Sequence, residues 1–576
     1  MRVIILWAVL ISTYIYALPQ EINRQIAKSG ISKRDISIYI KEVGKNGKVV
    51  ASLNAHKTRS PASVIKVLTT YSALLKFGFN YRIQTKFYIK GRLSGGVLYG
   101  DLFVKGFGDP TLGSDDLAKI SSYIRAEGIN EIKGNIVIDR SFFKVGNRNN
   151  SGFDKNLYSP YNAMPDAMMF NERISTVCVT PKKNNVYKKS VDASYKVVNK
   201  LQRVNKPCKG RYSWPAVKID NSQTLPTFIL KGKISKRCGK REISKVITKP
   251  YNSFYYALKE QLRKDKIKVS GTMKLREVPA DAQELFSYNS DSLEEIISKT
   301  AKKSNNLYAR HLLLYLGGKL YGAPATLQKG RDAITTILRH KGALGDGVLR
   351  IDNGSGLSRV SKMNAKLLVE MLDDAYARYG QRWMNTLSIA GVDGTIKRRF
   401  RHTVVKKRAW MKTGTLKRVK NIGGYVKNKA GKYYTAVILI NSTKAKYRGA
   451  KLQNEILKWL AGSRVKSSRQ STPAKAKPVS NVKMKVSKVQ PVKVKKSSKS
   501  TVTKSLGSYY IQVGVFGKKP DAKYFQKITN AGFSHTVRRG KNVRIFVGRY
   551  KDKKSAQKEL AKARKHLNSG AFIVKL

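Results

Sequence analysis

The stretch SPASVIKVLTTYSALLKFG, residues 60–78, places Ser63 and Lys66 at the start of an apolar run with helical spacing. Residues three apart lie on one face of a helix, so we expect the hydroxyl and the amine to lie within hydrogen-bonding reach. A lysine with a lowered pKa can accept the proton of a serine nucleophile. The free N–H groups at a helix N-terminus suit a developing oxyanion. The pattern predicts an active site on the first turn of a core helix.

Two further motifs follow in the chain. Ser304 and Asn306 form S-x-N within KTAKKSNNLYARHLLLYLG, just ahead of what reads as another amphipathic helix, and residues 412–414 form K-T-G on a strand-like run. A single S-x-x-K match occurs by chance in a lysine-rich chain, as at residues 480–483. S-x-x-K, S-x-N and K-T-G in this order, however, are the signature set of serine acyl-transfer enzymes that react with penicillin.

The motif set predicts a role for each of its first four polar side chains. Ser63 attacks the substrate carbonyl, and Lys66 accepts its proton. Ser304 relays a proton toward the leaving amine, and Asn306 holds the substrate amide.

The third motif predicts the remaining contacts with substrate. Lys412 provides positive potential, and Thr413 binds the terminal carboxylate of the substrate. Gly414 is expected to let the substrate backbone approach the strand closely. The backbone N–H groups of Ser63 and Thr415 form the predicted oxyanion hole.

The overall charge is extreme, with 115 Lys and Arg against 35 Asp and Glu and a formal net charge of +80. Such a balance attracts any polyanion, and nucleic acid is the usual first candidate. Residues 1–17, with Arg2 before an apolar run, instead read as a cleaved signal peptide, since the run is shorter than the ~20 residues that span a bilayer. We therefore expect a periplasmic protein with no transmembrane segment in the mature chain and no nucleic-acid partner. Cell-wall carboxylates, anionic lipid surfaces or plain solvation remain open as explanations of the charge.

Three cysteines are too few for a disulfide scaffold. In an oxidising compartment one pair can close, and Cys208 with Cys238 is favoured because both lie in polar, lysine-rich, loop-like sequence. Cys178, in the apolar stretch ISTVCVT, is predicted to be a buried free thiol. Neither H-E-x-x-H nor a paired C-x-x-C occurs, so we predict no zinc site and no cofactor.

More than two hundred residues separate Lys66 from Ser304, and that segment reads as strands and helices. Inserted domains explain such a gap better than a loop does. We predict one domain from residues 22–85 and 285–462, with two inserted domains in residues 86–284.

Residues 463–505 are rich in Lys, Ser, Val and Pro and read as a basic disordered linker. The module beyond it, residues 506–576, has the predicted order βαββαβ, with a strand over 509–516, helices over 521–530 and 553–567, and strands near 535–538, 543–548 and 572. An RNA-binding fold has a similar topology, but export and the absence of an aromatic-rich RNP sequence argue against it.

This module resembles a SPOR domain, through YYIQVGVF, AGF, VRIFVGRY and AFIVKL. The resemblance implies binding of peptidoglycan, in particular of denuded glycan strands, and location at the division septum.

The body resembles the D-alanyl-D-alanine carboxypeptidase/endopeptidases of penicillin-binding protein 4 type, peptidase family S13. The matching stretches, in the order of that family, are SPASVIKVLTTYSAL, GDLFVKGFGDPTL, SNNLYAR, IDNGSGLSR, IAGVDGTIKRRF and KTGT. The resemblance implies an α/β fold, in which a serine transpeptidase-like (β-lactamase/penicillin-binding) domain is interrupted by two inserted domains. It also implies that Arg359 lies near the substrate cleft, whereas Gly354 and Gly356 by themselves predict only a tight turn. Arg310 stands where many relatives carry an acid.

The resemblance implies hydrolysis of D-Ala from peptidoglycan peptides, or of their cross-links, through an acyl-enzyme, with β-lactams as acylating inhibitors. A catalytically idle scaffold that binds the septal wall is the alternative. A β-lactamase is less favoured, because no E-x-x-L-N follows Ser304 to position a hydrolytic water.

Overall fold

A computed structural model describes residues 18–463 and 509–575. It leaves out positions 45, 147, 149, 191 and 346 in the first range, and 517–519, 521–523, 526–527, 529–530, 532, 534, 540–541 and 551 in the second. The predicted signal peptide and, except for Ser463, the predicted linker lie outside the described residues. The chain divides into two compact units near residue 471, and each unit is treated by itself.

Nine helices are described in the first unit: α1 (Gln20–Ser29), α2 (Lys66–Phe77), α3 (Leu117–Ala126), α4 (Pro250–Lys264), α5 (Leu293–Lys302), α6 (Asn306–Tyr321), α7 (Leu327–His340), α8 (Ala365–Met384) and α9 (Ala445–Gly462). Of the helices in the described part of the chain, none has the length and apolar character needed to cross a bilayer.

The strands described in this unit are β1 (Ile36–Glu42), β2 (Val49–Leu53), β3 (Arg82–Ser94), β4 (Val97–Gly106), β5 (Glu131–Ile132), β6 (Ile136–Asp139), β7 (Ser175–Thr180), β8 (Asn185–Lys188), β9 (Lys196–Val204), β10 (Ala216–Asp220), β11 (Thr227–Ser235), β12 (Arg241–Lys245), β13 (Lys268–Val269), β14 (Met273–Leu275), β15 (Gln283–Ser292), β16 (Ser388–Ile389), β17 (Ala409–Leu416), β18 (Val419–Lys427) and β19 (Tyr433–Asn441).

The main sheet has the order β16-β17-β18-β19-β1-β2, and all its pairings are antiparallel. Successive side chains of a strand point to opposite faces. Accordingly Ile438 packs in a core with α1 and α9, whereas Val437 and Leu439 pack in a second core with α2 and α8. Both faces of the sheet are therefore covered, which places β17 and its K-T-G sequence beside the helical layer.

Helices α2 and α6 lie in contact within this helical layer. Every residue from Lys66 to Leu74 of α2 is buried. The prediction that an amphipathic helix follows Ser304 is wrong, because α6 is buried continuously from Leu307 to Gly318 between α2, α5 and α7. The ionisable residues Arg310 and His311 are thus inside the protein.

Between α2 and α5 the chain forms three further sheets. One has the path β13-β5-β4-β3-β15, to which β6 and β14 add, and two three-stranded sheets have the orders β12-β7-β8 and β10-β11-β9. The predicted boundaries at residues 85/86 and 284/285 fall inside β3 and β15, which pair with each other. The hydrogen bonds between β3 and β15 continue across both predicted boundaries. Each of these strands therefore belongs as a whole to this further sheet. The division into two inserted domains stays a prediction.

Cys208 and Cys238 form a disulfide, as predicted, and Cys178 is buried and free. The bonded pair lies within a separate apolar cluster, formed by the two three-stranded sheets.

The second unit contains β20 (Tyr509–Phe516), β21 (His535–Arg539), β22 (Val543–Tyr550), a helix at Lys553–His566, and β23 (Phe572–Lys575). Its sheet order is β21-β22-β20-β23. Of the helix predicted over 521–530, the described positions Tyr524, Phe525 and Ile528 are helical, and the others lie outside the described residues. The observed order agrees with the predicted βαββαβ arrangement.

Candidate active site

Ser63 lies in a 3₁₀ turn, Ala62–Ile65, which runs directly into α2 at Lys66. The turn is tightly held on the side of β18, where the Asn421 side chain donates hydrogen bonds to the carbonyls of Ser60 (2.9 Å) and Pro61 (3.0 Å). Ala62 has a φ of +46°, in the left-handed region that non-glycine residues rarely adopt. Strained backbone of this kind persists only where the surroundings determine it.

Lys66 Nζ lies 2.9 Å from Ser63 Oγ and 2.6 Å from Asn306 Oδ1, and it also hydrogen-bonds to the carbonyl oxygen of Ser355. The lysine side chain is fully buried. The structure thus brings together the first and second sequence motifs, which are more than two hundred residues apart.

The pKa of Lys66 is held well below its usual value. Burial is the largest cause, and the cations Lys412 and Arg310 add electrostatic repulsion. A neutral amine has two N–H groups and one lone pair. Because Asn306 Oδ1 and the Ser355 carbonyl can only accept, they take the two N–H groups. The lone pair is then left for the hydroxyl of Ser63, which is the arrangement that a general base requires.

Ser304 and Lys412 form the other half of the polar cluster. Ser304 has a φ of +56° and precedes α6, whose N-cap residue Asn305 accepts hydrogen bonds from Leu307 N and Tyr308 N. Lys412 Nζ donates to Ser304 Oγ at 2.9 Å and to the carbonyl of Thr413 at 2.8 Å. Burial lowers the pKa of Lys412 to about 7. The lysine is therefore divided between its charged and neutral forms near neutral pH.

Gly414 packs closely against the turn that contains Ser63. A Cβ at this position would lie 2.8 Å from Pro61 O and 3.0 Å from Ser63 N. The glycine thus makes room for this turn, and its expected role in the approach of substrate stays a prediction. Thr413 donates to Thr395 Oγ1 at 2.8 Å, and Thr415 accepts from Lys420 Nζ at 3.3 Å.

An open cleft of about 800 Å³ lies over this polar cluster. It is lined by Ser60, Ser63, Phe153, Asp154, Tyr161, Ser304, Asn306, Leu357, Ser358, Arg359, Thr415, Leu416, Lys417, Arg418 and Val419. The guanidinium of Arg359 is exposed and stacks 4.7 Å from the ring centre of Phe153. Ser63, Ser304, Asn306, Thr415 and Arg359 therefore share one cleft, while Lys66 and Lys412 lie buried beneath it.

Sequence reasoning assigned no role in the site to three residues that the structure places there. Ser355 supplies a carbonyl to Lys66, and the signal was the DNGSG turn, since a Cβ on Gly356 would lie 2.0 Å from the Ala62 carbonyl. Arg310 follows Asn306 by one helical turn and so lies on the same face of α6. Asp154, which accepts hydrogen bonds from Tyr161 and Asn162, brings a carboxylate into the cleft from the inserted region without any motif in the sequence.

Comparison with protein families gives two matches. Residues 18–462 match the family described as D-Ala-D-Ala carboxypeptidase 3 (S13), and residues 505–575 match the SPOR domain. The chain is 27% identical over 427 residues to the D-alanyl-D-alanine carboxypeptidase DacB of Haemophilus influenzae, covering 71% of this chain and 85% of that protein. It is 26% identical over 395 residues to the D-alanyl-D-alanine carboxypeptidase of an Actinomadura species, covering 66% and 72%.

The fold is similar to the crystal structure of penicillin binding protein 4 from Haemophilus influenzae, with a TM-score of 0.65 and 24% identity over 77% of this chain and 99% of that one. The same protein in complex with a β-lactam gives a TM-score of 0.60 at 25% identity, over 76% and 97%. The family match spans most of the chain. The chain belongs to the D-Ala-D-Ala carboxypeptidase 3 (S13) family and is a serine D-alanyl-D-alanine carboxypeptidase with a C-terminal SPOR domain.

Proposed function

We propose that this protein releases the terminal D-Ala of peptidoglycan peptides through an acyl-enzyme on Ser63. The observation that carries the proposal is the environment of Lys66, a buried amine whose two N–H groups are taken by fixed acceptors and whose lone pair is left for Ser63 Oγ, 2.9 Å away. Ser63 Oγ transfers its proton to Lys66 Nζ and bonds to the carbonyl carbon of the penultimate residue. The oxyanion is received by the backbone N–H groups of Ser63 and Thr415.

The second half of acylation requires a proton for the departing amine. Ser304, hydrogen-bonded to Lys412, relays it, and the C–N bond breaks to release D-Ala. Asn306 holds the substrate amide, and Lys412 with Thr413 attracts the terminal carboxylate. A water then attacks the ester carbon and gives its proton to Lys66, which restores Ser63 Oγ–H and the shortened peptide. Arg359, exposed in the cleft, is in a position to contact substrate.

Two terminal segments of the chain support a proposal for where the enzyme acts. We propose that residues 1–17 export the protein to the periplasm and that residues 506–576 bind glycan strands without peptides, which enriches the enzyme at the division septum. The SPOR match at residues 505–575 supports this assignment. We expect deletion of residues 507–576 to abolish septal enrichment of a fluorescent fusion and to spare penicillin binding. Unchanged localisation would contradict the targeting role.

A labelling experiment tests the nucleophile. The mature protein should be acylated by a fluorescent penicillin, and Ser63→Ala should not. Ser60→Ala is the matched control, because Ser60 lines the same cleft yet its described bonds there use its backbone. Labelling that persists in Ser63→Ala, at the level of Ser60→Ala, would show that another group is acylated.

A digestion experiment tests the substrate. Cross-linked and uncross-linked muropeptides are incubated side by side, and the products are separated by mass. Loss of one D-Ala from pentapeptides supports carboxypeptidase action, and separation of cross-linked dimers supports endopeptidase action as well. Penicillin labelling without any change in either substrate would favour the idle wall-binding scaffold instead.

A further inference from the structure

An exposed tryptophan marks a surface of the inserted region away from the catalytic motifs. Trp214, in the loop before β10, is 55% exposed, although its neighbour Pro215 is buried. Trp383 and Trp410 are buried. Tryptophan is enriched at interfaces, because its ring combines a large apolar face with a polar N–H group.

The Trp214 ring packs against Arg241, and hydrogen bonds and a disulfide fix the arginine and the loop. The Arg241 guanidinium stacks 5.1 Å from the ring centre of Trp214, donates to the Ser213 carbonyl at 2.9 Å and contacts Cys208 Sγ at 3.1 Å. The disulfide between Cys208 and Cys238 ties this loop to the segment before β12. A binding group that is already ordered loses little conformational entropy when a ligand arrives.

The surroundings of Trp214 are strongly basic. Residues 206–241 contain ten Lys and Arg and a single acid, Asp220. In the same loop, the guanidinium of Arg211 lies 5.0 Å from the ring centre of Tyr212, so a second arginine is held against an aromatic ring. We call Trp214, Arg211 and the exposed lysines Lys209 and Lys236 the Trp214 patch. The patch combines the flat apolar face of an indole ring with several positive charges.

We infer that the Trp214 patch binds peptide-bearing peptidoglycan glycan, as a second wall contact separate from the SPOR domain. The substrate peptides end in carboxylates and recur along a sugar chain, so the polymer presents both negative charge and sugar rings. The apolar face of a sugar can stack on indole, while the lysines and arginines attract the carboxylates. The patch and the catalytic cleft belong to the same compact unit, so this contact would hold the peptidase unit on the polymer that carries its substrate. The inference rests on the proposed function.

Binding of full-length variants to purified sacculi tests the inference. Trp214→Ala should weaken binding at least about threefold, as expected for removal of an aromatic anchor. Tyr447→Ala is the matched control and should not, because Tyr447 is also an exposed ring, 77% exposed, with the Lys446 ammonium 5.0 Å from its centre, but it lies on α9. Equal affinities of the two variants would overturn the assignment.

A charge test follows the same design. Lys209→Glu with Lys236→Glu should weaken sacculus binding, whereas Lys446→Glu with Lys451→Glu, two exposed lysines of α9, should do so much less. If the two pairs have equal effects, then the total charge and not the Trp214 patch governs binding.

Photo-crosslinking locates the contact independently of the SPOR domain. Benzoylphenylalanine placed at position 214 should form adducts with muropeptides on irradiation, and benzoylphenylalanine at position 447 should not. Equal yields would contradict the proposed contact. Trp214→Ala should weaken binding to sacculi more than binding to anionic lipid vesicles or duplex DNA. The reverse result would contradict the glycan assignment and identify the lipid or the DNA as the ligand of the patch.

Soluble substrates separate this inference from the proposed function. All these variants should retain penicillin labelling and release of D-Ala from a soluble pentapeptide. If the wild type does neither, the proposed catalysis fails, and the sacculus comparison still decides whether the patch binds the wall.

Discussion

At the residue scale, the site is built around a buried lysine, Lys66, whose pKa is lowered. Burial is the largest cause of the lowering, and the positive charges of Lys412 and Arg310 add to it. Arg310 is itself buried, its Nη1 donates to the Ala163 carbonyl, and its pKa is lowered to about 10. The positive charge of Arg310 opposes protonation of Lys66.

We expect Arg310→Met to raise the pKa of Lys66. The acid limb of the pH profile for penicillin acylation should then move upward by on the order of one pH unit, because a nearby positive charge has been removed. Arg310→Lys keeps the charge and should leave the limb near its original pH. An unchanged limb in Arg310→Met, together with normal folding by circular dichroism, would exclude this electrostatic role.

The pKa of Lys412, about 7, sets the expected alkaline limb. Below that pH the lysine carries the positive charge that attracts the substrate carboxylate, and the charge is lost as the pH rises through 7. We therefore expect kcat/KM for D-Ala release to fall between pH 7 and 9, mainly through a higher KM. Lys412→Arg, which remains charged, should move this fall to higher pH, and a wild-type kcat/KM that rises over the range would contradict the assignment.

At the element scale, two turns pack against each other to form the site. Gly356 has a φ of +79°, and a Cβ there would lie 2.0 Å from the Ala62 carbonyl, next to the nucleophile. Thr69 of α2 also donates to the Gly354 carbonyl at 2.8 Å. The turn at residues 352–359 therefore positions Ser63 and Lys66 through its backbone, in addition to any contact that Arg359 makes with substrate.

Gly356→Ala should lower both the unfolding temperature and the rate of penicillin acylation. Gly78→Ala is the matched control, since Gly78 has a nearly identical φ of +78° but no atom within 4 Å of the added Cβ. The control should cost about 1 to 3 kcal/mol of unfolding free energy from backbone strain alone. Gly356→Ala should cost more and acylate more slowly. Equal losses in the two variants would mean that the close approach has no effect on the site.

At the scale of the whole molecule, the first unit contains several apolar cores. One lies between the main sheet and the helical layer with α2, and another lies within the two three-stranded sheets that hold the disulfide. Separate cores allow a local loss of stability to leave the catalytic core folded.

Cys208→Ser with Cys238→Ser should therefore destabilise residues 175–245 selectively. Opening a loop with a sequence separation of 30 removes about 3 to 4 kcal/mol in the chain-entropy account. Hydrogen exchange in these strands should accelerate, while penicillin acylation persists. Cys178→Ala, which changes the buried free cysteine, should leave the disulfide and its effect intact. Loss of acylation in the double variant would show that the two cores unfold together.

Much of the site was predictable from the sequence, because its polar residues lie in short motifs with local meaning. Ser63 and Lys66 are one helical turn apart, and the K-T-G run is a strand, as expected. The contact that excludes a side chain at Gly414 and the burial of α6 were not predictable, since each depends on neighbours distant in the chain. A glycine in the sequence can indicate that a Cβ is excluded, but it does not indicate which atom excludes it.

The sequence alone predicts the motif order, a long folded segment between the first two motifs, the bonded cysteine pair and the small C-terminal module. These features follow from spacing and from local periodicity. The lowered pKa of Lys66 is visible only in the folded protein, because it depends on burial and on the charges of Lys412 and Arg310, which approach from β17 and α6. Desolvation and charge act through space, and their magnitude is set by packing rather than by position along the chain.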